Sequence, residues 1–300
     1  MKIISRQATD NPSVALDESE CIRADLLPDL VKQLAVPRHY LRESLANRRI
    51  GDYLLEWFQN LGFAVSFQGR YRNVVAHLGE DIAAPSLLVG AHYDSVPRCA
   101  GADDNASALA AMLVMAHTLA RFDPLPITLV AFNREEDQLL GSRDFVTALA
   151  PEHLGALREV HVLEMLGYRT LAAGSQKFPA GNFLQIGDVG DFLALVSNPP
   201  AAELGRSILT CADKLNSPLP IHWLSTPEEL TGPMAHLLRS DHAPFWDRGV
   251  PAVMWTDTAE FRNPHYHLPS DQPDTLDYEF LTQITQLLTS HVLSSAQGMA

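Results

Sequence analysis

Ser86-Leu-Leu-Val-Gly-Ala-His-Tyr-Asp-Ser-Val-Pro-Arg-Cys-Ala-Gly-Ala-Asp-Asp-Asn105 is the stretch on which the reading of this chain turns. Its first six residues form an apolar run of strand length that reads as a buried strand. The run ends in His92 and Asp94, separated by Tyr93. Alternate side chains of a strand point the same way, so both would project to one side. A glycine-containing turn follows, then Asp103 and Asp104, then a long apolar helix. An imidazole with a carboxylate behind it, and a second carboxylate at a helix start, are parts of a metal site. On its own the stretch also fits a surface His-x-Asp followed by an Asx turn that caps a helix.

The chain around it has 300 residues, 46% hydrophobic and 19% charged, a globular composition with ample material for a core. Its 36 acids and 22 bases give a formal charge of −14, which argues against nucleic acid or an anionic membrane as partner. Cys21, Cys99 and Cys211 are widely spaced and form no Cys-x-x-Cys pair, so neither a thiolate zinc site nor a disulfide framework is expected. Met1 to Ala8 lacks a signal-peptide core, and no apolar run approaches the ~20 residues of a membrane span. A cytoplasmic protein is the expectation.

Residues 1 to about 24 show no period and read as an irregular arm. Ile50, Tyr53, Leu54, Trp57 and Leu61 fall at helical spacing, with Gly62 as a C-terminal cap. Phe63 to Phe67 and Asn73 to Leu78 read as strands, Ala106 to Leu119 as a buried helix, and Ile127 to Phe132 as a strand leading into Glu135 and Glu136. A helix near Ser142 to Leu149 precedes the strand Val160 to Leu163, which runs into Glu164. Phe192 to Ser197 and Pro251 to Thr256 read as strands, Ala201 to Leu215 and Leu281 to Val292 as helices. Residues 168–190 and 216–240 read as long functional loops. This alternation predicts a single α/β domain over 1–300: three layers, α/β/α, around a mostly parallel, mixed central sheet.

His92 with Asp94, Glu135 with Glu136, Glu164, and His267 then all follow the downstream ends of predicted strands, where open α/β sheets gather their ligands. Histidines and carboxylates without thiolate suit zinc in a catalytic site. A carboxylate shared by two metals would leave each an open position, and a water held by both would lose its proton near neutral pH. A proton acceptor that is not itself a ligand is still required.

The chain resembles the zinc-dependent exopeptidase family that includes bacterial leucyl aminopeptidases, glutamate carboxypeptidase and the glutaminyl cyclases. The resemblance runs from about Asn73 to Tyr278 and is carried by six pieces in the family's order. They are Gly90-Ala-His-Tyr-Asp-Ser, Gly101-Ala-Asp-Asp-Asn-Ala-Ser, Glu135-Glu-Asp-Gln-Leu-Leu-Gly-Ser, Leu163-Glu-Met-Leu-Gly-Tyr168, Ser240-Asp-His242 and Asn263-Pro-His-Tyr-His-Leu-Pro. It implies that Asp104 bridges two zinc ions, one completed by His92 and Glu164, the other by Glu136 and His267. It implies Glu135 as general base, Asp94 as hydrogen-bond partner of the far nitrogen of His92, and Tyr266 as stabiliser of the oxyanion. It also implies a cis Asp104–Asn105 peptide.

Glu164 stands where aminopeptidases of the family usually carry aspartate. His265 is the rival of His267, and register favours His267. The activity implied is release of the N-terminal residue of a peptide through a dizinc-bound hydroxide. A single-zinc glutaminyl cyclase, carboxypeptidase polarity and a non-catalytic receptor-like relative are the alternatives.

Overall fold

In the computed structural model, which describes residues 2–8, 22–79, 86–122, 124–178 and 186–299, Ser86–His92 is a strand buried at all seven positions. A strand loses both faces to the interior only inside a sheet that is covered on both sides. The strands are β1 (Lys2–Arg6), β2 (Ala64–Gln68), β3 (Asn73–His77), β4 (Ser86–His92), β5 (Ile127–Phe132), β6 (Leu157–Glu164), β7 (Leu193–Ser197), β8 (Ile221–Ser225) and β9 (Ala252–Thr256). They form one sheet in the order β1-β8-β7-β9-β6-β4-β5-β3-β2. The central β5, β4, β6 and β9 run parallel, while β3 and β2 on one flank and β7 beside β9 on the other are antiparallel to their inner neighbours. On the far flank β7 and β8 are parallel and β1 closes the edge antiparallel.

The helices are α1 (Leu27–Leu34), α2 (Ser44–Asn60), α3 (Ala108–Leu119), α4 (Leu140–Ala148), α5 (Pro151–Ala156), α6 (Ala202–Lys214), α7 (Ala243–Trp246) and α8 (Tyr278–Met299). Alternate residues of β4 serve opposite layers. Val89 and Ala91 pack with α1, α3, α6 and α8 in the larger core. Leu88 joins Val130, Phe132 and Val160 against Phe145 of α4 and Phe245 of α7. α3 is buried almost all round because it lies among the sheet, α1 and α8, which explains its lack of a polar face. Among the described residues, no helix is long and apolar enough to cross a membrane.

The structure differs from the sequence reading at four places. Residues 2–6 of the expected irregular arm are the edge strand β1, which pairs with β8 through register Lys2–Ser225 to Arg6–Ile221. With only Ile3 and Ile4 apolar, this strand leaves no alternation to read; residues 9–21 of the arm lie outside the described residues. The expected loop 216–240 contains β8 and a 3-10 turn, Gly232–Leu238. α3 starts at Ala108 rather than Ala106, because Asp104 (φ −102°, ψ 84°) and Asn105 (φ −134°, ψ 33°) break the preceding turn. A short helix, α5, opens on Pro151 and was not expected. The 168–190 loop has no helix or strand among its described residues, and residues 179–185 lie outside them.

Gly90 sits beside the Phe132 ring: a β-carbon built there lies 2.5 Å from the ring edge. Gly90→Ala is therefore expected to destabilise the fold by about 1–3 kcal/mol through overpacking. A urea midpoint unchanged from wild type would contradict this packing.

Candidate metal centre

Parallel strands deliver their ends to one place. β4 ends at His92, β5 leads to Glu135 and Glu136, and β6 ends at Glu164. His267 arrives from the loop beyond β9, and Asp104 from the turn before α3. His92 Nε2 lies 3.1 Å from Asp104 Oδ1 and 3.7 Å from Glu164 Oε2. His267 Nε2 lies 3.2 Å from Asp104 Oδ2 and 3.1 Å from Glu136 Oε2. Two triads result, His92–Asp104–Glu164 and Asp104–Glu136–His267, and each takes one oxygen of Asp104. Glu135 belongs to neither triad and is buried beside them.

The donor atoms fit divalent cations. His92 Nε2, Asp104 Oδ1, Glu136 Oε1 and His267 Nε2 are buried without a hydrogen-bond partner. Such orphans are rare, and convergent imidazole and carboxylate orphans are the set that zinc accepts. Burial disfavours charge on every one of these groups, but their mutual fields decide the outcome. His267, opposed by burial, is pushed up to about 10 by Asp104 and Glu136. His92 is likewise raised despite burial, by Glu164, Glu135 and Asp104. Asp104 resists burial and stays ionised between His267 and His92. Burial, with the charge of Asp104, pushes Glu136 up to about 7, and burial raises Glu135 as well. Cations placed here would do the neutralising that the imidazoles do alone.

The bridging turn is stitched on all sides. The carboxylate of Asp271 accepts the amides of Asp103 (2.8 Å) and Asp104 (3.1 Å). Asn105 donates to the Leu163 carbonyl (2.9 Å) and accepts the Met165 amide (2.9 Å), tying the turn to the end of β6. Asp103 accepts the Gly167 amide (2.8 Å) and the Asn263 side chain (2.6 Å). The Asp104–Asn105 peptide is cis. Arg38, fully buried, donates to the carbonyls of Tyr93 (2.8 Å), Ala100 and Gly101 (3.0 Å), thus holding both ends of the loop between β4 and the turn. Gly101 has φ +60°, and a β-carbon there would meet the Asp104 carbonyl oxygen at 2.1 Å. Only glycine suits that position.

Asp94 approaches His92, whose Nδ1 has no hydrogen-bond partner among the described residues, and it also meets two amides. Its Oδ1 lies 3.5 Å from His92 Nδ1, and its carboxylate accepts the amides of Glu135 (3.1 Å) and Glu136 (3.4 Å). Ser240 donates to Glu164 Oε2 at 2.6 Å. Tyr266 stacks its ring on His267 with centroids 3.8 Å apart, and its hydroxyl accepts from Arg239 at 3.2 Å. His265 instead lies 3.0 Å from the Ser270 hydroxyl and belongs to neither triad. Cys99 is buried and donates to the Leu268 carbonyl. Arg38, Asp271, Asn105 and Ser240 went unnoticed as functional in the sequence; only Asn105 and Ser240 lie within a quoted motif.

A third convergence, Glu159, His161 and His291, lies between β6 and α8. There the Trp255 indole, which can only donate, gives its proton to His161 Nδ1 at 3.1 Å. The other nitrogen of His161 therefore carries the ring proton and faces Glu159 Oε2 at 3.5 Å, as a donor rather than a ligand.

The profile of peptidase family M28 matches residues 73–188 and 210–292. The Escherichia coli K12 protein YfbL, described as uncharacterized, is 34% identical over 79% of this chain and 76% of its own length. BSAP, a zinc aminopeptidase from Bacillus subtilis, is 28% identical with a TM-score of 0.55, covering 74% of this chain and 49% of that one. The chain thus spans about half of BSAP. The Legionella pneumophila LapA aminopeptidase structure, 18% identical, has a TM-score of 0.71 over 97% of this chain and 78% of that one, a likeness of fold.

Two expectations follow from the packing around the centre. Arg38→Met strands three or more buried carbonyls and should cost roughly 3 kcal/mol or more, read as a lowered denaturation midpoint. His242 is fully buried, and burial pushes its pKa down to about 4. From about pH 6.5, where an unfolded histidine titrates, down to about 4, the unfolded chain takes up a proton that the folded chain refuses, so stability falls with pH. Between pH 7 and 4.5 wild type should lose about 2 kcal/mol more than His242→Gln. Parallel pH profiles of the two proteins would refute this.

Proposed function

The chain belongs to peptidase family M28, and from that premise we propose that it is a zinc-dependent aminopeptidase that removes the N-terminal residue of a peptide. The observation that carries the reading is the shared Asp104, with one oxygen in each triad and Glu135 buried beside both without belonging to either.

In this proposal His92, Asp104 and Glu164 hold one zinc, and Asp104, Glu136 and His267 the other. Zinc bound there would supply Lewis acidity for the scissile carbonyl and for the attacking water. Glu135 accepts a proton from that water on its carboxylate and delivers it to the nitrogen of the leaving amine. Burial, together with Glu164, Glu136 and Asp241, raises the proton affinity of Glu135, which suits a group that must hold a proton between two steps. Asp94 fixes the amides of Glu135 and Glu136, so one carboxylate sets the positions of base and ligand together. Burial and the carboxylates of Asp104 and Glu136 keep the Tyr266 hydroxyl protonated, leaving it a donor for the developing oxyanion.

Glu135→Gln should lower kcat on leucine amides by about 10²–10⁴-fold while the zinc content per chain stays that of wild type. Asp104→Ala should lose zinc from both positions. Turnover of Glu135→Gln near wild type would refute the base. A zinc-saturated wild type that holds one ion and cyclises glutaminyl peptides would replace aminopeptidase by cyclase.

A further inference from the structure

The sheet extends well beyond the metal centre, and its far flank is not packed like the rest. Ile4, Leu193, Leu195, Ile221, Trp223 and Trp255 belong to the large core shared with α6 and α8. The alternate residues on the other face stand outside that core, and Trp246 of α7 packs against them. Val196, Leu224 and Met254 form a small cluster of their own, joined by Ile3 and Leu237. A cavity of about 500 Å³ lies over them and opens onto Asp104, Glu135, Glu136, Glu164 and His267. Met234, Leu237 and Phe261 contribute its other walls.

The strand register makes the floor of this cavity continuous. Met254 of β9 is aligned with Val196 of β7, Val196 with Leu224 of β8, and Leu224 with Ile3 of β1. Four apolar side chains thus stand in one row across four neighbouring strands, a span of about 14 Å at the usual strand spacing. The adjacent row begins at Glu164 itself, which is aligned with Thr256, then Ala194, then His222 and Ser5. The floor therefore starts at the metal centre and runs sideways to the edge of the sheet. Ile3, at its far end, lies outside the segments that the family profile matches.

We infer that this floor seats the N-terminal side chain of the substrate, and that peptides beginning with a long or biaryl apolar residue are preferred to those beginning with leucine. The inference rests on the aminopeptidase reading. A leucine side chain covers about one strand of the row and leaves the rest of the cavity unfilled. A group that reaches Leu224 and Ile3 carries its own methylenes out of water and into the cavity, at roughly fourfold in affinity per added methylene. An exopeptidase must enclose the end of its substrate, and the residue it removes is the group a cavity beside the metals would receive.

The test uses the zinc-loaded full chain and the 7-amido-4-methylcoumarin derivatives of alanine, leucine, phenylalanine, 4-phenylphenylalanine and 2-aminododecanoic acid. The last two should exceed leucine in kcat/KM by about tenfold or more. Ile3→Trp, which fills the far end, should lower their kcat/KM about tenfold more than that of leucine, mainly through KM. Leu224→Phe, which shortens the row from a buried position, should act in the same direction and serves if the edge substitution unfolds β1. Turnover in which leucine matches or exceeds the long residues, or variants that lower all five substrates equally, overturns the inference and leaves the aminopeptidase reading standing. No turnover of any of the five by protein carrying two zincs overturns that reading, and this inference with it.

Discussion

Both oxygens of Asp104 must face two imidazoles from opposite ends of the site, and the surrounding structure is built to keep that one carboxylate in place. The backbone before α3 departs from helical geometry at Asp104 and Asn105, where the carboxylate turns toward both imidazoles. The first amides of a helical segment have no partner within it and must be satisfied from elsewhere. Asp271 takes two of them, Asn105 binds across to the end of β6, and Asp103 binds Gly167 and Asn263. Buried polar groups must be paired, and here their pairing also sets the register of the bridge against β6, which carries Glu164.

Around this bridge lies an excess of buried acid. Asp94, Asp103, Asp104, Glu135, Asp241, Asp257 and Asp271 are all buried, against few buried cations, of which Arg38 and Arg262 are two. Among the described residues Arg38 meets no carboxylate in hydrogen-bond contact; its donors are spent on carbonyls. Its charge acts through space, and the nearby carboxylates of Asp104, Asp271 and Asp94 partly restore a pKa that burial lowers. A cluster so charged is costly as bare side chains. Divalent cations would supply the missing positive charge directly, which is the electrostatic reason for proposing the triads as metal positions rather than as ion pairs.

The sequence exposed the parts of this arrangement that are local. His-x-Asp, Asp-Asp and Glu-Glu are legible because their members are neighbours, and because each follows an apolar run long enough to be recognised as a strand. The central strands β4, β5, β6 and β9 were legible for the same reason. What stayed hidden acts singly across long separations. Arg38 lies about sixty residues from the carbonyls it holds, Asp271 lies far beyond the amides it accepts, and Ser240 reaches Glu164 from another loop. Nothing in the spacing of such residues marks them. Edge strands were hidden differently: β1 has only two apolar residues, adjacent to each other, and β8 follows directly on Pro218 and Pro220, which read as loop.

Those hidden edge strands change what the site can hold. A sheet ending at β7 would present the metal centre with a short apolar floor. β8 and β1 extend it by two strands, and their pairing in register carries the apolar row from Met254 out to Ile3. The candidate metal centre depends on strand ends and loops, where a one-residue shift would move a donor side chain; the floor depends on strand middles, where register alone keeps alternate side chains on one face. The two therefore answer to different parts of the chain. In the proposed reading, chemistry would be set by β4, β5, β6 and the bridging turn, while the reach of the pocket would be set by pairings at the sheet's far edge, including β1.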